Sequence, residues 1–289
     1  MGRYKKILVA FDGSESSLNA LLQAFRLASE EECWITAATV IPQYEGELDL
    51  TGVGDVHEPL RRAGEEILSK AKTVAKESGA LIKTILEEGE SSERLVSLAE
   101  EENCGLIVMG RRGKSRLERA MIGSVAARVI GLSKRDVLVM PENSHVGWKK
   151  ILVATDGSKY SAAASDRAID FARSHGGTIQ AVSVVDVPAE FYAEAPKAVE
   201  DLTKKAKGFV ADVKKKAEAS GIKTTTFIGE GEAYKVITDL ARDENSDVIF
   251  VGSRGRTGLT KILMGSVTEK VIGYSSCPVL VVKNYRASF

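Results

Sequence analysis

The sequence predicts an α/β protein made of two tandem doubly wound domains, each on a five-stranded parallel sheet. Three observations carry this reading. Short apolar runs alternate with segments of helical periodicity along the chain. The runs ILVAF (Ile7–Phe11) and LIVM (Leu106–Met109) are continuous rather than alternating, as expected of parallel strands covered on both faces. The whole pattern then occurs a second time, with ILVAFDGS starting at Ile7 and ILVATDGS at Ile151, 144 residues apart.

The repeat extends nearly end to end. Ser78-Gly79 matches Ser220-Gly221 and Gly89-Glu90 matches Gly231-Glu232, now 142 residues apart, so the second copy is two residues shorter between about 41 and 78. A loop after the second strand is expected there. A unit of this length is a duplicated domain rather than a solenoid repeat of ~20–50 residues, and 289 residues suit two domains of about 150 each. The turn-rich segment PENSHVG (Pro141–Gly147) reads as the joint, giving domains at 1–143 and 144–289.

In the first half, strands are expected near 4–11, 34–41, 80–87, 105–110 and 136–140. The first helix follows Asp12-Gly13-Ser14, with Ser14 as its N-cap. Leu18, Leu21, Leu22 and Phe25 then fall on one face at helical spacing. A later helix carries Leu95, Leu98 and Ala99, matched by Ile237, Leu240 and Ala241. The last helix shows Val125 and Val129, matched by Val267 and Val271. His175, beside Gly176 and Gly177, ends a helix. The charged stretches near 61–77 and 197–218 read as solvated helix faces.

Composition excludes several function classes. Apolar residues are 44% and charged residues 28% of the chain, ordinary for a globular protein. Lys+Arg and Asp+Glu are 40 each, and zero net charge argues against a general nucleic-acid binder. No apolar run approaches the ~20 residues that cross a bilayer. The N-terminus lacks a signal-peptide pattern, and Gly2 fails as a myristoylation site because Lys6 stands where Ser or Thr is required. A cytoplasmic location with no membrane partner is therefore expected. Cys33, Cys104 and Cys277 form no CxxC pair, and Gly177, Ser246 and Arg135 occupy the matching positions of the other half. They read as packing or surface thiols rather than zinc ligands.

The chemistry points to one duplicated motif. GRRGKSRLERAMIGS places Gly110, Gly113, Gly123 and Ser124 as GSRGRTGLTKILMGS places Gly252, Gly255, Gly265 and Ser266. Both copies read G-x-x-G, nine residues, then G-S, between a buried strand and a helix. Glycine there lets the main chain pass close to a neighbour, and the unpaired amides of a helix N-terminus attract anions. The pattern suggests a phosphate cradle in each half. Ligands of open α/β sheets bind at the carboxyl ends of strands where the order reverses, and Asp12 and Asp156 end the first strand of each half. Each aspartate contacts a nucleotide across the crevice, or Asp-Gly-Ser is simply a capped turn; the residues alone leave both open. Arg111, Arg112, Lys114, Arg116 and Arg119, with Arg254, Arg256 and Lys261 in the second copy, either neutralise phosphate or form a solvated basic face. Familiar alternatives fail: Val108 stands where Walker A needs glycine, no G-x-G-x-x-G follows the first strand, and neither G-x-S-x-G nor H-E-x-x-H occurs.

These residues resemble the universal stress protein family in its ATP-binding branch and tandem form. The second half fits best, from Val251 to Lys283. The first departs where Ser115-Arg116 replaces Thr257-Gly258 and Asp136 replaces Pro278. The resemblance implies a strand order of 3-2-1-4-5 and binding of ATP or a related adenine nucleotide with Mg2+ or Mn2+. It assigns the phosphates and ribose to Gly110, Gly113, Gly123 and Ser124, and to Gly252, Gly255, Gly265 and Ser266. It assigns the adenosine side to Asp12 and Asp156, and adenine readout through the backbone to Val40 and Val184, each after the second strand. It also implies dimerisation through the last strand (Val137–Met140 and Val279–Val282), which a tandem chain could satisfy internally as a pseudo-dimer, with further homodimerisation open. The implied function is stress response or signalling through nucleotide-dependent binding of a protein partner. No residue is singled out as catalytic or as a metal ligand. A slow ATPase or nucleotidyl or phosphoryl transferase, and a nucleotide-free partner-binding module, are the competing readings.

Overall fold

The structure is a computed structural model that describes residues 4–43, 57–113, 122–255 and 264–283. Gly2 and the loop residues Lys114, Ser115, Arg116, Arg119, Arg256, Thr257, Gly258 and Lys261 lie outside the described residues. The chain passes from one compact unit to the next between Asn143 and Ser144.

The first unit runs β1 (Lys6–Ala10), α1 (Glu15–Glu31), β2 (Trp34–Ile41), α2 (His57–Glu77), β3 (Ile82–Glu88), α3 (Ser91–Glu101), β4 (Leu106–Gly110), α4 (Ser124–Leu132) and β5 (Asp136–Met140). Its strands are parallel in the order β3-β2-β1-β4-β5. The second unit runs β6 (Lys150–Ala154), α5 (Lys159–His175), β7 (Thr178–Val185), α6 (Glu190–Glu194), α7 (Pro196–Ala219), β8 (Thr224–Glu230), α8 (Ala233–Asp243), β9 (Val248–Gly252), α9 (Ser266–Tyr274) and β10 (Val279–Val282). Its parallel order, β8-β7-β6-β9-β10, is the same 3-2-1-4-5 arrangement. The order therefore reverses between β1 and β4 in one unit and between β6 and β9 in the other, where a ligand crevice is expected.

The continuous apolar runs become the buried strands. Ile7, Leu8, Val9, Ile107 and Val108 have no exposed surface, consistent with helices on both faces of the sheet. The α1 stripe is centred on Ala20, Leu21, Ala24, Phe25 and Leu27, all buried. Leu22, expected on that face, is 37% exposed: it lies about 100° round the helix from Leu21. The last helix departs similarly. Ala126, Val129 and Ile130 face the core of α4, while Val267 of α9 is exposed and Thr268 is buried instead.

The departure at Asp136 has a local cause. Asp136 is buried, and the hydroxyl of Tyr4 donates to its Oδ2 at 2.7 Å. In the second half the matching pair is Trp148 and Pro278, and Trp148 packs its ring 4.4 Å from that of Phe171. A buried polar pair in one half is thus an apolar cluster in the other.

Glu90 caps α3. Its carboxylate accepts from the amide of Glu93 at 2.8 Å and the hydroxyl of Ser92 at 2.6 Å, and Arg128 donates to it at 3.1 Å. Partial burial pushes the carboxyl up, but these donors outweigh it and hold it below its usual value of 4.5. A depressed folded value means the contribution is complete above the unfolded value and is lost as pH falls through the folded one. Glu90→Gln is therefore expected to flatten the acid limb of a urea-stability profile below about pH 4.5. An unchanged limb would refute the cap.

Candidate functional site

Each half brings its first strand and its glycine loop to one edge of the sheet. Past β1 the chain turns at Gly13, whose φ of +78° suits glycine. Asp12 Oδ1 accepts from the amide of Ser14 at 3.0 Å and from its hydroxyl at 2.6 Å. Ser14 in turn caps α1 by accepting from the amide of Ser17. The capped-turn reading of Asp-Gly-Ser is therefore correct for one carboxylate oxygen. The other faces the glycine loop: a Cβ on Gly113 would lie 2.6 Å from Asp12 Oδ2. The second half repeats this. Gly157 turns at φ +77°, Asp156 Oδ1 accepts from the amide of Ser158 at 3.0 Å, and a Cβ on Gly255 would lie 3.0 Å from Asp156 Oδ2.

The other four spaced glycines have different physical reasons. Gly110 and Gly252 end β4 and β9 and pack against the first helix of their unit. A Cβ on Gly110 would lie 2.8 Å from the carbonyl carbon of Ser16, and one on Gly252 2.7 Å from that of Tyr160. Gly123 and Gly265 close the loop: the Gly123 amide donates to the Arg111 carbonyl at 2.9 Å and the Gly265 amide to the Ser253 carbonyl at 3.0 Å. They are also the N-caps of α4 and α9, and neither helix has a side-chain cap. The donors left at each mouth are thus those of the helix's first turn, starting at Ser124 and Ser266. The amides of Val125 and Ala126, and of Val267 and Thr268, belong to this set, though the spacing pattern singled out only the serines.

Val40 and Val184 lie inside β2 and β7, not after them. The Ala38 carbonyl accepts from Phe11 on the β1 side and the Ile41 carbonyl from Gly89 on the β3 side. Peptides alternate direction along a parallel strand, so the Val40 peptide faces the β1 side, beyond the end of β1 and beside Asp12. The carbonyls of Val182 and Val185 accept from Thr155 and Gly231 in the same way, which turns the Val184 peptide toward Asp156.

Arg111 and Arg112 leave β4 at the start of the first loop. Burial, then the neighbouring charge of Arg112, depresses the Arg111 guanidinium, against the opposing effect of Glu142. The thiols offer no nucleophile: burial, with Glu31 adding, pushes Cys33 up to about 12, and burial pushes Cys104 up to about 11. Burial also raises Cys277, against a hydrogen bond with Ser275. Among the described residues no three His, Cys, Asp or Glu side chains converge to hold a metal. No described helix is long and apolar enough to cross a membrane.

Comparison with known proteins agrees with this architecture. The model of the universal stress protein family matches residues 3–141 and again 147–283. Universal stress protein MJ0531 of Methanocaldococcus jannaschii is 40% identical over 142 residues, covering 47% of this chain and 82% of that protein. Universal stress protein YxiE of Bacillus subtilis is 34% identical over 150 residues, covering 47% of this chain and 99% of its own. A crystal structure of a universal stress protein from Archaeoglobus fulgidus shares the fold along 96% of both chains, with a TM-score of 0.74 and 24% identity. With both halves matched, the chain belongs to the universal stress protein family and carries two of its domains in tandem.

Proposed function

We propose that each half binds an adenine nucleotide, ATP or a relative, and that the protein acts in stress response or signalling through nucleotide-dependent binding of a protein partner. The observation that carries this is the pairing, in both halves, of an aspartate with a bare glycine main chain beside an uncapped helix N-terminus (Asp12 with Gly113 and α4, Asp156 with Gly255 and α9). The phosphates would lie on the first-turn amides at Ser124 and Ser266, flanked by Gly113 and Gly123 or by Gly255 and Gly265. Gly110 and Gly252 let the loop leave the sheet close to the first helix. Asp12 and Asp156 would meet the ribose side with their second oxygen, and the Val40 and Val184 peptides the adenine edge. Mg2+ or Mn2+ would ride on the phosphates, keeping most of its waters, as Mg2+ commonly does.

The energetics suit binding. Three or four hydrogen bonds to charged phosphate, at about 1.5–3 kcal/mol each, together with base burial, can reach the ~8 kcal/mol of a micromolar complex after association costs. A fluorescent ATP analogue titrated at equilibrium is expected to bind at micromolar concentration and to be displaced by ATP. No displacement at millimolar ATP would refute the proposal. Turnover is the competing reading, and no duplicated general base beyond the two aspartates favours it.

A further inference from the structure

In the first unit α1 and α2 enclose a cavity of about 320 Å3 beside the end of β1. Phe11, Gly13 and Leu18 form one wall, and Lys70 and Val74 of α2 stand on the other. The lining is mostly apolar. Lys70 is exposed at the rim, and among the described residues it makes no ion pair. The cavity is separate from the nucleotide crevice: Asp12 turns its second oxygen to Gly113, whereas the next residue, Gly13, faces Ile67 of α2.

The second unit has the same cleft, between α5 and α7, and fills it with its own side chains. Phe209 stands where the first half has Ile67, and its ring lies so close on Gly157, the counterpart of Gly13, that no Cβ fits between them. At Gly13 a Cβ would meet Ile67 at an ordinary 3.4 Å. Lys216 of α7 then closes the second cleft by an ion pair with Asp166 of α5 at 2.9 Å. The first half has Val74 and Leu22 in those two places, and Leu22 is 37% exposed. The duplication therefore shows what such a cleft accommodates, an aromatic ring, and shows that the first unit leaves the place open.

We propose that the α1–α2 cleft of the first unit is a second ligand site, for a small aromatic carboxylate whose ring lies on Gly13, Phe11 and Leu18 and whose carboxylate meets Lys70. The cavity is of the size of small-molecule sites, which combine apolar walls with a few polar anchors. A ring placed there takes apolar surface of Leu18 and Val74 out of water and packs against the ring of Phe11. The unpaired cation at the rim selects an anionic head. The proposal stands whether or not the crevice binds a nucleotide.

Equilibrium dialysis of the full chain with 2-naphthylacetate, and with its neutral amide, tests this. One naphthylacetate per chain is expected to bind at submillimolar concentration, and saturating ATP should leave that binding unchanged. Lys70→Met should weaken the carboxylate about three- to fivefold, the weight of one exposed ion pair, and leave the amide unaffected. Two separate plugs copied from the second half, Ile67→Phe and Leu22→Asp/Val74→Lys, should each cost both probes at least tenfold, with far-ultraviolet circular dichroism checking the fold. No binding at millimolar probe, competition by ATP, or full binding by both folded plugged variants would overturn the site. An equal loss of acid and amide in Lys70→Met, or no loss of either, would overturn the assignment of a carboxylate ligand.

Discussion

The Gly113→Val/Gly255→Val double variant is expected to lose ATP affinity by a factor on the order of a hundred or more while remaining folded. At Gly113 the new side chain would start 2.6 Å from Asp12 Oδ2, and at Gly255 it would start 3.0 Å from Asp156 Oδ2. In both cases the nearest obstacle is the tip of a side chain, so the carboxylate swings aside and the sheet and helices stay in place. The valine then occupies the space between the aspartate and the helix mouth. Losing two charge-assisted hydrogen bonds per site, at about 1.5–3 kcal/mol each, accounts for the expected factor. Equilibrium titration measures the affinity and far-ultraviolet circular dichroism the fold. A folded double variant with unchanged affinity would remove the glycine loops from the site.

Gly252→Ala should have the opposite signature, a loss of fold stability in the second unit. Its Cβ would lie 2.7 Å from the Tyr160 carbonyl carbon and 2.9 Å from the Ser161 amide nitrogen. These are main-chain atoms near the start of α5, so relief requires moving the helix against β9. Overpacking of this kind costs about 2–3 kcal/mol, whereas Gly255→Ala, which meets only the tip of the Asp156 side chain at 3.0 Å, should stay within about 0.5 kcal/mol of the parent. Urea unfolding followed by Trp148 emission compares the two directly. Equal midpoints for both variants would contradict the division of labour among the glycines.

That division marks the boundary of what the sequence makes legible. The duplication, the strands and the Ser14 cap follow from local patterns: apolar runs, helical spacing and a turn tripeptide; the strand order came from the family resemblance. The approach of Asp12 to Gly113 was also foreseeable, because an α/β sheet sends the end of its first strand and the loop after its fourth to one edge. Other features depend on contacts that no local pattern encodes. Gly110 is glycine because Ser16, 94 residues earlier, packs on it. The resemblance placed Val40 after the second strand, whereas the apolar run at 34–41 already held it, and β2 outruns β1 and keeps the valine in the ladder. Thr268 stands where the first half has Ala126, yet only the structure shows its hydroxyl donating to the Gly252 carbonyl. Leu22 fell on the wrong face because a four-residue apolar spacing fits two adjacent stripes of a helix.

Native mass spectrometry of the intact chain with added ATP tests the central claim most directly, since it counts bound nucleotides without assigning them a role. The account predicts two retained nucleotides on the unsubstituted chain, one on each of the Gly113→Val and Gly255→Val proteins, and none on the double variant. A chain that retains no nucleotide, or a double variant that still retains two, would contradict it.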